Sequence, residues 1–413
     1  MHGRERQRDL RIGPGPGRNP LGSERGDLGP GHPAAGHPVG FPSRHPVSPS
    51  QRPQALLGHD TKERTWRHLN FFQYECYLHA WVPRINGGDP DGIKQVEVPW
   101  ARPGSGFTLL MEALLVILAR TGMTVAEVGR VVAETPHRIW RVLFHHVEQA
   151  LRQMDLSRVR ELTGDETSVR RGHEYVTVVC EPARRARGRR PAQTTRVLAV
   201  SEGKDAQALE VACQSLVERG LKPEGIVPVC ADMSPAYAKG VQTCFPLAEL
   251  VFDFFHVVGL ITEGVDQVRR RESQQFPQLL KGTRYLWLKN EAKLTEAQRQ
   301  TLQTLARSKL QTAKAHTHLV AFQDLLRVRN DEEAVGGLKW WYNWVTHSRI
   351  PEMIKVAKSI KRHWDGVLAY LRTRLTNGPA EAINGIIQTA KRKSRGFRCF
   401  GYFRIMIHLL TSP

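Results

Sequence analysis

Nowhere in the 413 residues do two cysteines stand as C-x-x-C, and lysine plus arginine outnumber acids 60 to 40. No apolar run approaches the ~20 residues that a membrane helix needs. The longest candidate, Phe107 to Leu118, carries Glu112. The first residues are rich in Arg, Gly and Pro without an apolar core region, so no secretory leader is expected. The six cysteines (76, 180, 213, 230, 244 and 399) are scattered through apolar or mixed segments, as reduced core thiols are. A disulfide framework is therefore not expected, and a soluble, cytoplasmic protein without a membrane partner is. The shortage of acid leaves a net charge of +20, which points to a polyanionic partner. Nucleic acid is the default, because Lys and Arg bound to phosphates release counterions. With 40% hydrophobic and 24% charged residues, a disordered chain is excluded.

Residues 1–58 differ from the rest. Ten of the 35 glycines and nine of the 25 prolines fall in the first fifty positions, with no apolar periodicity. This stretch is expected to be a disordered extension, either a basic DNA-binding arm or a passive one. At His59 the texture changes to alternating aromatics (Phe71, Phe72, Tyr74, Tyr77), which predict a small β-rich module over 59–102. Residues 103–156 carry three helical patterns. Thr124 with Glu127 forms a capping box, and Pro136 suits the first position of the third helix. Helix, short turn and helix of this size predict a helix-turn-helix, whose Arg138 and Arg141 would face DNA; the bland alternative is a three-helix packing unit.

From Leu162 the pattern is strand-like. Tyr175–Cys180 and Thr194–Val200 flank an arginine-rich tip at 183–190, and strands at Ile226–Ala231 and Leu250–Phe255 alternate with helices starting after Asp205 and at Pro235. A meander followed by βαβ units predicts an α/β domain with a mixed sheet. Residues 261–375 read as helical, with Trp340, Trp341, Tyr342 and Trp344 expected in its core. In 376–413, Pro379 opens a helix on which Glu381, Asn384 and Gln388 share a face. A basic block follows, with Lys391, Arg392, Lys393, Arg395 and Arg398 as candidate DNA contacts.

Asp165 and Glu166 are expected at the start of one strand, Asp232 at the end of another, and Glu381 in the first turn of the late helix. Acids at buried strand ends are costly without a cation or donors. Brought together, three could hold one or two Mg²⁺ ions through hard oxygen ligands, or serve merely as caps and surface ion pairs.

Four ordered blocks carry a resemblance. They are Gly164-Asp165-Glu166-Thr167 with Arg171-Gly172-His173-Glu174-Tyr175, then Ala231-Asp232-Met233-Ser234-Pro235, then Phe252-Asp253-Phe254-Phe255-His256, and finally Glu381…Asn384-Gly385 with Lys391-Arg392…Arg395-Gly396-Phe397-Arg398. Over about residues 59–405 the chain resembles DDE transposases of bacterial insertion sequences, most of all the ISL-three family. The resemblance implies a ribonuclease-H-like catalytic core (157–260 and 376–413) interrupted by a helical insertion (261–375) and preceded by the helix-turn-helix. It implies a triad of Asp165, Asp232 and Glu381 holding Mg²⁺, with Mn²⁺ able to substitute. Glu166, Asp253, His256 and Asn384 are candidate active-site support. The implied activity is cleavage and joining of double-stranded DNA, at element-end inverted repeats and at a target, by an oligomer of this chain in the bacterial nucleoid. The chain departs from the family where a zinc segment is usual. Pro83-Arg84-Ile85 is followed by no cysteine, and Cys76 with His79 gives too few ligands, so no intact zinc site is expected. The usual Gly after the triad Glu is Ala382. Two rivals remain: a catalytically degenerate remnant that only binds DNA, and a nuclease of the same fold that does not join strands.

Overall fold

The computed structural model describes residues 8–12, 58–86, 92–170, 174–183, 194–290 and 293–411. The arginine-rich tip from 184 onward and most of the N-terminal extension lie outside the described residues. The chain divides into two compact units, Met1–Glu148 and Gln149–Pro413.

In the first unit, β1 (Arg8–Ile12), β2 (Gly58–Phe71), β3 (Tyr74–Asn86) and β4 (Ile93–Gln95) form one sheet in which β3 pairs with the other three. β2 and β3 make a long antiparallel hairpin, and β1 lies parallel on the other side of β3 along Cys76–Ala80. β1 falls inside the stretch expected to be disordered. Its Leu10 and Ile12 alternate with polar residues, and its backbone covers an edge of β3 that would otherwise stay open. Trp66, Ala80, Val82 and Ala101 form a small core, with Trp100 edge-on to Trp66 at 5.8 Å.

Three helices follow: α1 (Leu109–Arg120), α2 (Val125–Val132) and α3 (Pro136–Gln153). Thr108 caps α1 by accepting from Met111 N. Thr124 and Glu127 form the expected capping box on α2. Val128 on α2 and Ile139 and Leu143 on α3 are fully buried, each such side chain being worth about 1.5–3 kcal/mol. Gly129 is required there, because a Cβ would stand 2.6 Å from the Glu134 carbonyl oxygen. The turn is completed by Ala133 in the left-handed region, with φ 55°.

The second unit holds a five-stranded sheet of β5 (Leu162–Arg170), β6 (Glu174–Glu181), β7 (Arg196–Glu202), β8 (Pro228–Ala231) and β9 (Glu249–Phe252), in the order β7-β6-β5-β8-β9. β5, β6 and β7 are antiparallel neighbours; β8 and β9 join in parallel. Alternation sorts the side chains of β6. Val176, Val178 and Cys180 enter one core, and Val179 enters the other. The first face is covered by α14 (Gly378–Lys393) and α15 (Phe400–Thr411), which bring Ile383, Ile387, Phe403 and Ile407. The second is covered by α4 (Ala206–Glu218) and α5 (Pro235–Cys244), which bring Leu209, Leu216, Tyr237 and Val241.

Between β9 and α14 the chain is helical: α6 (Phe254–Glu272), α7 (Pro277–Leu280), α8 (Arg284–Leu288), α9 (Glu296–Ala306), α10 (Gln311–Leu325), α11 (Asp331–Thr346), α12 (Pro351–Arg362) and α13 (Trp364–Thr373). Their shared core includes Trp287, Phe322 and Trp341. The tryptophan cluster is core only in part. Trp341 is buried and donates to the His318 carbonyl at 2.8 Å, whereas Trp340 is 58% exposed and stacked on Trp344.

Several expected strand limits move, and β7 runs Arg196–Glu202 instead of Thr194–Val200. β8 starts at Pro228, because Pro223–Gly225 forms a 3-10 turn just before it. β9 stops at Phe252, and Asp253 is the N-cap of α6, so Phe254 and Phe255 open a helix instead of closing a strand.

Candidate active site

The parallel strands align three acids. β5 pairs with β8 through Thr163↔Cys230, and β8 pairs with β9 through Ala231↔Phe252. Continuing each register past its last pair sets Asp165, Asp232 and Asp253 in one row. The row lies where β8 and β9 end. Asp165 is therefore in the middle of β5, not at its start, and it stands beyond the end of its β8 neighbour.

Helix α14 closes the site from the other side. Asn384 Nδ2 donates to Asp165 Oδ2 at 2.7 Å and to the Glu166 carbonyl at 3.3 Å. Gln388 donates to Thr167 Oγ1 and to the Ser168 carbonyl. The face shared by Glu381, Asn384 and Gln388 is thus the one laid along β5. Asn377, the N-cap of α14, is wholly buried. Its side chain donates to the Gly164 carbonyl at 3.1 Å, and its backbone N–H reaches Asp253 Oδ1 at 3.4 Å. It is not among the sequence candidates; the Asn-Gly-Pro that opens the helix is its only signal.

The electrostatics follow from crowded carboxylates. Burial, with Asp232 and Glu381 close by, pushes the Asp165 carboxyl up to about 6, although its hydrogen bond from Glu166 N opposes this. Glu166 and Asp253 are also pushed above the usual carboxylate range, first of all by burial. His256 Nδ1 lies 2.9 Å from Asp232 Oδ1, and this partner raises the imidazole's pKa. Among the described residues, the group whose ligand atoms all lie within 4.8 Å of one another is Asp253, His256 and Glu381. Asp232 borders it through His256, and Asp165 feels the charges of His256 and Glu381.

A model of a transposase family matches residues 162–407, from the first residue of β5 into α15. A second model, the helix-turn-helix domain of transposase family ISL3, matches residues 96–147. The chain belongs to the ISL3 family of transposases. Transposases for insertion sequence element IS1557 from two Mycobacterium tuberculosis strains, CDC 1551 / Oshkosh and ATCC 25618 / H37Rv, are each 28% identical over 365 residues, covering 81% of this chain and 78% of theirs. A transposase for insertion sequence element IS1001 from Bordetella parapertussis is 26% identical over 357 residues, covering 84% of each chain.

With a helix-turn-helix and a transposase domain, the protein is a DNA-binding type. Its candidate DNA contacts divide by geometry. Arg141 of the second motif helix is exposed. Arg138 is engaged within its own unit: it pairs with the nearly buried Glu134 at 2.7 Å, donates to the Gly106 carbonyl and stacks over Phe107 at 4.3 Å. Of the basic block, Arg392, Lys393, Arg395 and Arg398 are exposed, whereas Lys391 turns in to the Ser168 carbonyl at 2.6 Å. Arg170 holds the chain after α14 by donating to the Phe397 and Arg398 carbonyls. In the region of the family's zinc segment, Cys76 is buried on β3 and His79 Nδ1 lies 2.9 Å from Thr65 Oγ1. Three apart on a strand, these two point to opposite faces. Among the described residues, no helix is long and apolar enough to cross a membrane.

Proposed function

We propose that this transposase binds inverted repeats at the ends of its insertion sequence, cuts there, and joins the 3′ ends to target DNA. The observation that carries the reading is the row of acids at the ends of neighbouring parallel strands, closed by Glu381 and Asn384 from α14. The sheet order, three antiparallel strands followed by two parallel ones, supports a ribonuclease-H-like core into which α6–α13 are inserted.

The donor set fits a divalent cation. It consists of crowded carboxylates, of which Asp165 and Asp253 are raised first of all by burial, and the Oδ2 of the buried Asp253 has no partner. Asp165, Asp232 and Glu381 would hold Mg²⁺, with Mn²⁺ as substitute. Such an ion supplies activation of a water or 3′-hydroxyl and charge neutralisation at the scissile phosphate. Asn384 fixes the rotamer of Asp165 by its bond to Oδ2, and Glu166 N–H fixes Oδ1. His256 holds Asp232 from the other side. Arg141 and the exposed arginines after α14 would contact phosphates, which position the duplex without reading its sequence. Joining paired ends calls for at least two subunits.

The test is a joining assay on DNA carrying the element's own ends. Recovery of covalent donor–target joints in Mg²⁺ is expected. Nicks without joints would favour a nuclease, and binding without either would favour a DNA-binding remnant.

A further inference from the structure

We propose that Asp253, His256 and Glu381 form a cation site of mixed nitrogen and oxygen donors beside the Asp165–Asp232 pair, and that it takes a first-row transition dication such as Mn²⁺ in preference to Mg²⁺. The inference rests on the reading of this centre as metal-dependent and specifies which side chains hold one ion.

Three observations carry it. The first is distance: one ligand atom from each of the three residues lies within 4.8 Å of the other two. Donors around one octahedral or tetrahedral ion at ~2.0–2.2 Å stand roughly 3–4.4 Å apart, so a small inward adjustment completes the set. The second is an orphan. Asp253 is wholly buried, its Oδ2 has no hydrogen-bond partner, and the backbone N–H of Asn377 reaches its Oδ1 only at 3.4 Å. A buried, half-satisfied carboxylate costs free energy that a cation offsets. Its position in the row, beside Asp232, turns that need toward the reacting centre.

The third is how the imidazole is held. His256 Nδ1 faces Asp232 Oδ1 at 2.9 Å. With Nδ1–H donating to that carboxylate, the neutral ring carries its lone pair on Nε2, the pairing that commonly orients a metal-binding histidine. Asp232 would then serve one ion directly and orient the ligand of another, and Glu381 would be common to both positions. An imidazole in the set sets the preference: Mg²⁺ favours all-oxygen octahedra, whereas first-row transition dications accept nitrogen readily.

The experiment is Mn²⁺ titration of the full-length, metal-stripped protein. Free Mn²⁺ is followed by electron paramagnetic resonance, and nitrogen coupling to bound Mn²⁺ by electron spin-echo modulation. Wild type should bind Mn²⁺ with imidazole ¹⁴N modulation. His256→Gln should lose that modulation and bind at least tenfold more weakly, and Asp253→Asn should weaken binding similarly. Asp165→Asn should keep the modulation, which shows that the ion detected is not the one Asp165 holds. Thermal unfolding of each variant in EDTA confirms folding. Bound Mn²⁺ without nitrogen coupling, lost in Asp165→Asn and unchanged in His256→Gln, would overturn the inference while leaving a metal-dependent centre in place. No Mn²⁺ binding by wild type would remove both.

Discussion

Replacing Asp165 with asparagine should make the metal-free protein more stable while abolishing its chemistry. Asp165 is held at about 6 rather than its ordinary 3.8, because burial and the neighbouring Asp232 and Glu381 disfavour its charge. A folded carboxyl raised this far binds its proton more tightly than the unfolded chain does. The resulting cost is absent below about pH 3.8, grows between there and pH 6, and is complete above. Its full size is roughly 3 kcal/mol. Asparagine carries no charge to bury. It keeps an oxygen for the Glu166 N–H, and its new amide can be accepted by Asn384 Oδ1, a buried atom without a partner, if that side chain flips. A net gain of about 1–3 kcal/mol is therefore expected at pH 7.5. Urea unfolding followed by tryptophan fluorescence, with EDTA, measures it. The gain should shrink toward zero by pH 4. In saturating Mg²⁺ the order should close or reverse, since a hundredfold excess over the Kd of the ion that Asp165 helps to hold stabilises the wild type, and not the variant, by about 2.7 kcal/mol. An Asn variant less stable than wild type at pH 7.5 in EDTA, or a gain independent of pH, would refute the reasoning.

Other outcomes follow from the first unit. Thr124→Ala removes the side-chain acceptor of the Glu127 N–H, leaves the Glu127 carboxylate on the backbone N–H of residue 124, and should cost about 1 kcal/mol in the stability of that unit, measured by thermal unfolding. Gly129→Ala puts a Cβ 2.6 Å from a backbone oxygen and should cost about 1–3 kcal/mol or more by the same measurement. Arg141→Ala should leave stability unchanged, weaken DNA binding and lower the slope of log affinity against log salt by about 1. Arg138→Ala should instead destabilise the fold, because Glu134, with a side chain only 5% exposed, loses its close ion pair and keeps only the longer one to Arg67 at 4.0 Å.

The order of elements was legible in the sequence because its signals are local. Thr124 and Glu127 lie three apart, Pro136 opens a helix, and the apolar runs before Asp232 and Asp253 mark buried strands. The common face of Glu381, Asn384 and Gln388 was legible for the same reason. The place where β9 ends was not: Phe252, Phe254 and Phe255 suit a strand as well as a helix core, and only the fold makes Asp253 a cap. Asn377 was missed because its partners, Gly164 and Asp253, are distant in sequence. The Glu134–Arg138 pair was locally visible as i, i+4, but the Gly106 carbonyl and the Phe107 ring that complete the hold on Arg138 come from another element. The alignment of Asp165 with Asp232 depends on strand register, which composition and spacing do not specify.

The most direct measurement compares wild type with Asp232→Asn in single-turnover cleavage of element-end DNA in Mg²⁺, with DNA affinity determined on the same preparations. The account predicts metal-dependent cleavage by wild type, none by the variant, and affinities that agree within about twofold. Equal cleavage by both proteins would contradict the assignment of Asp232 to the centre. Absence of cleavage by wild type, with salt-sensitive binding retained, would contradict the claim that this row of acids is a working active site.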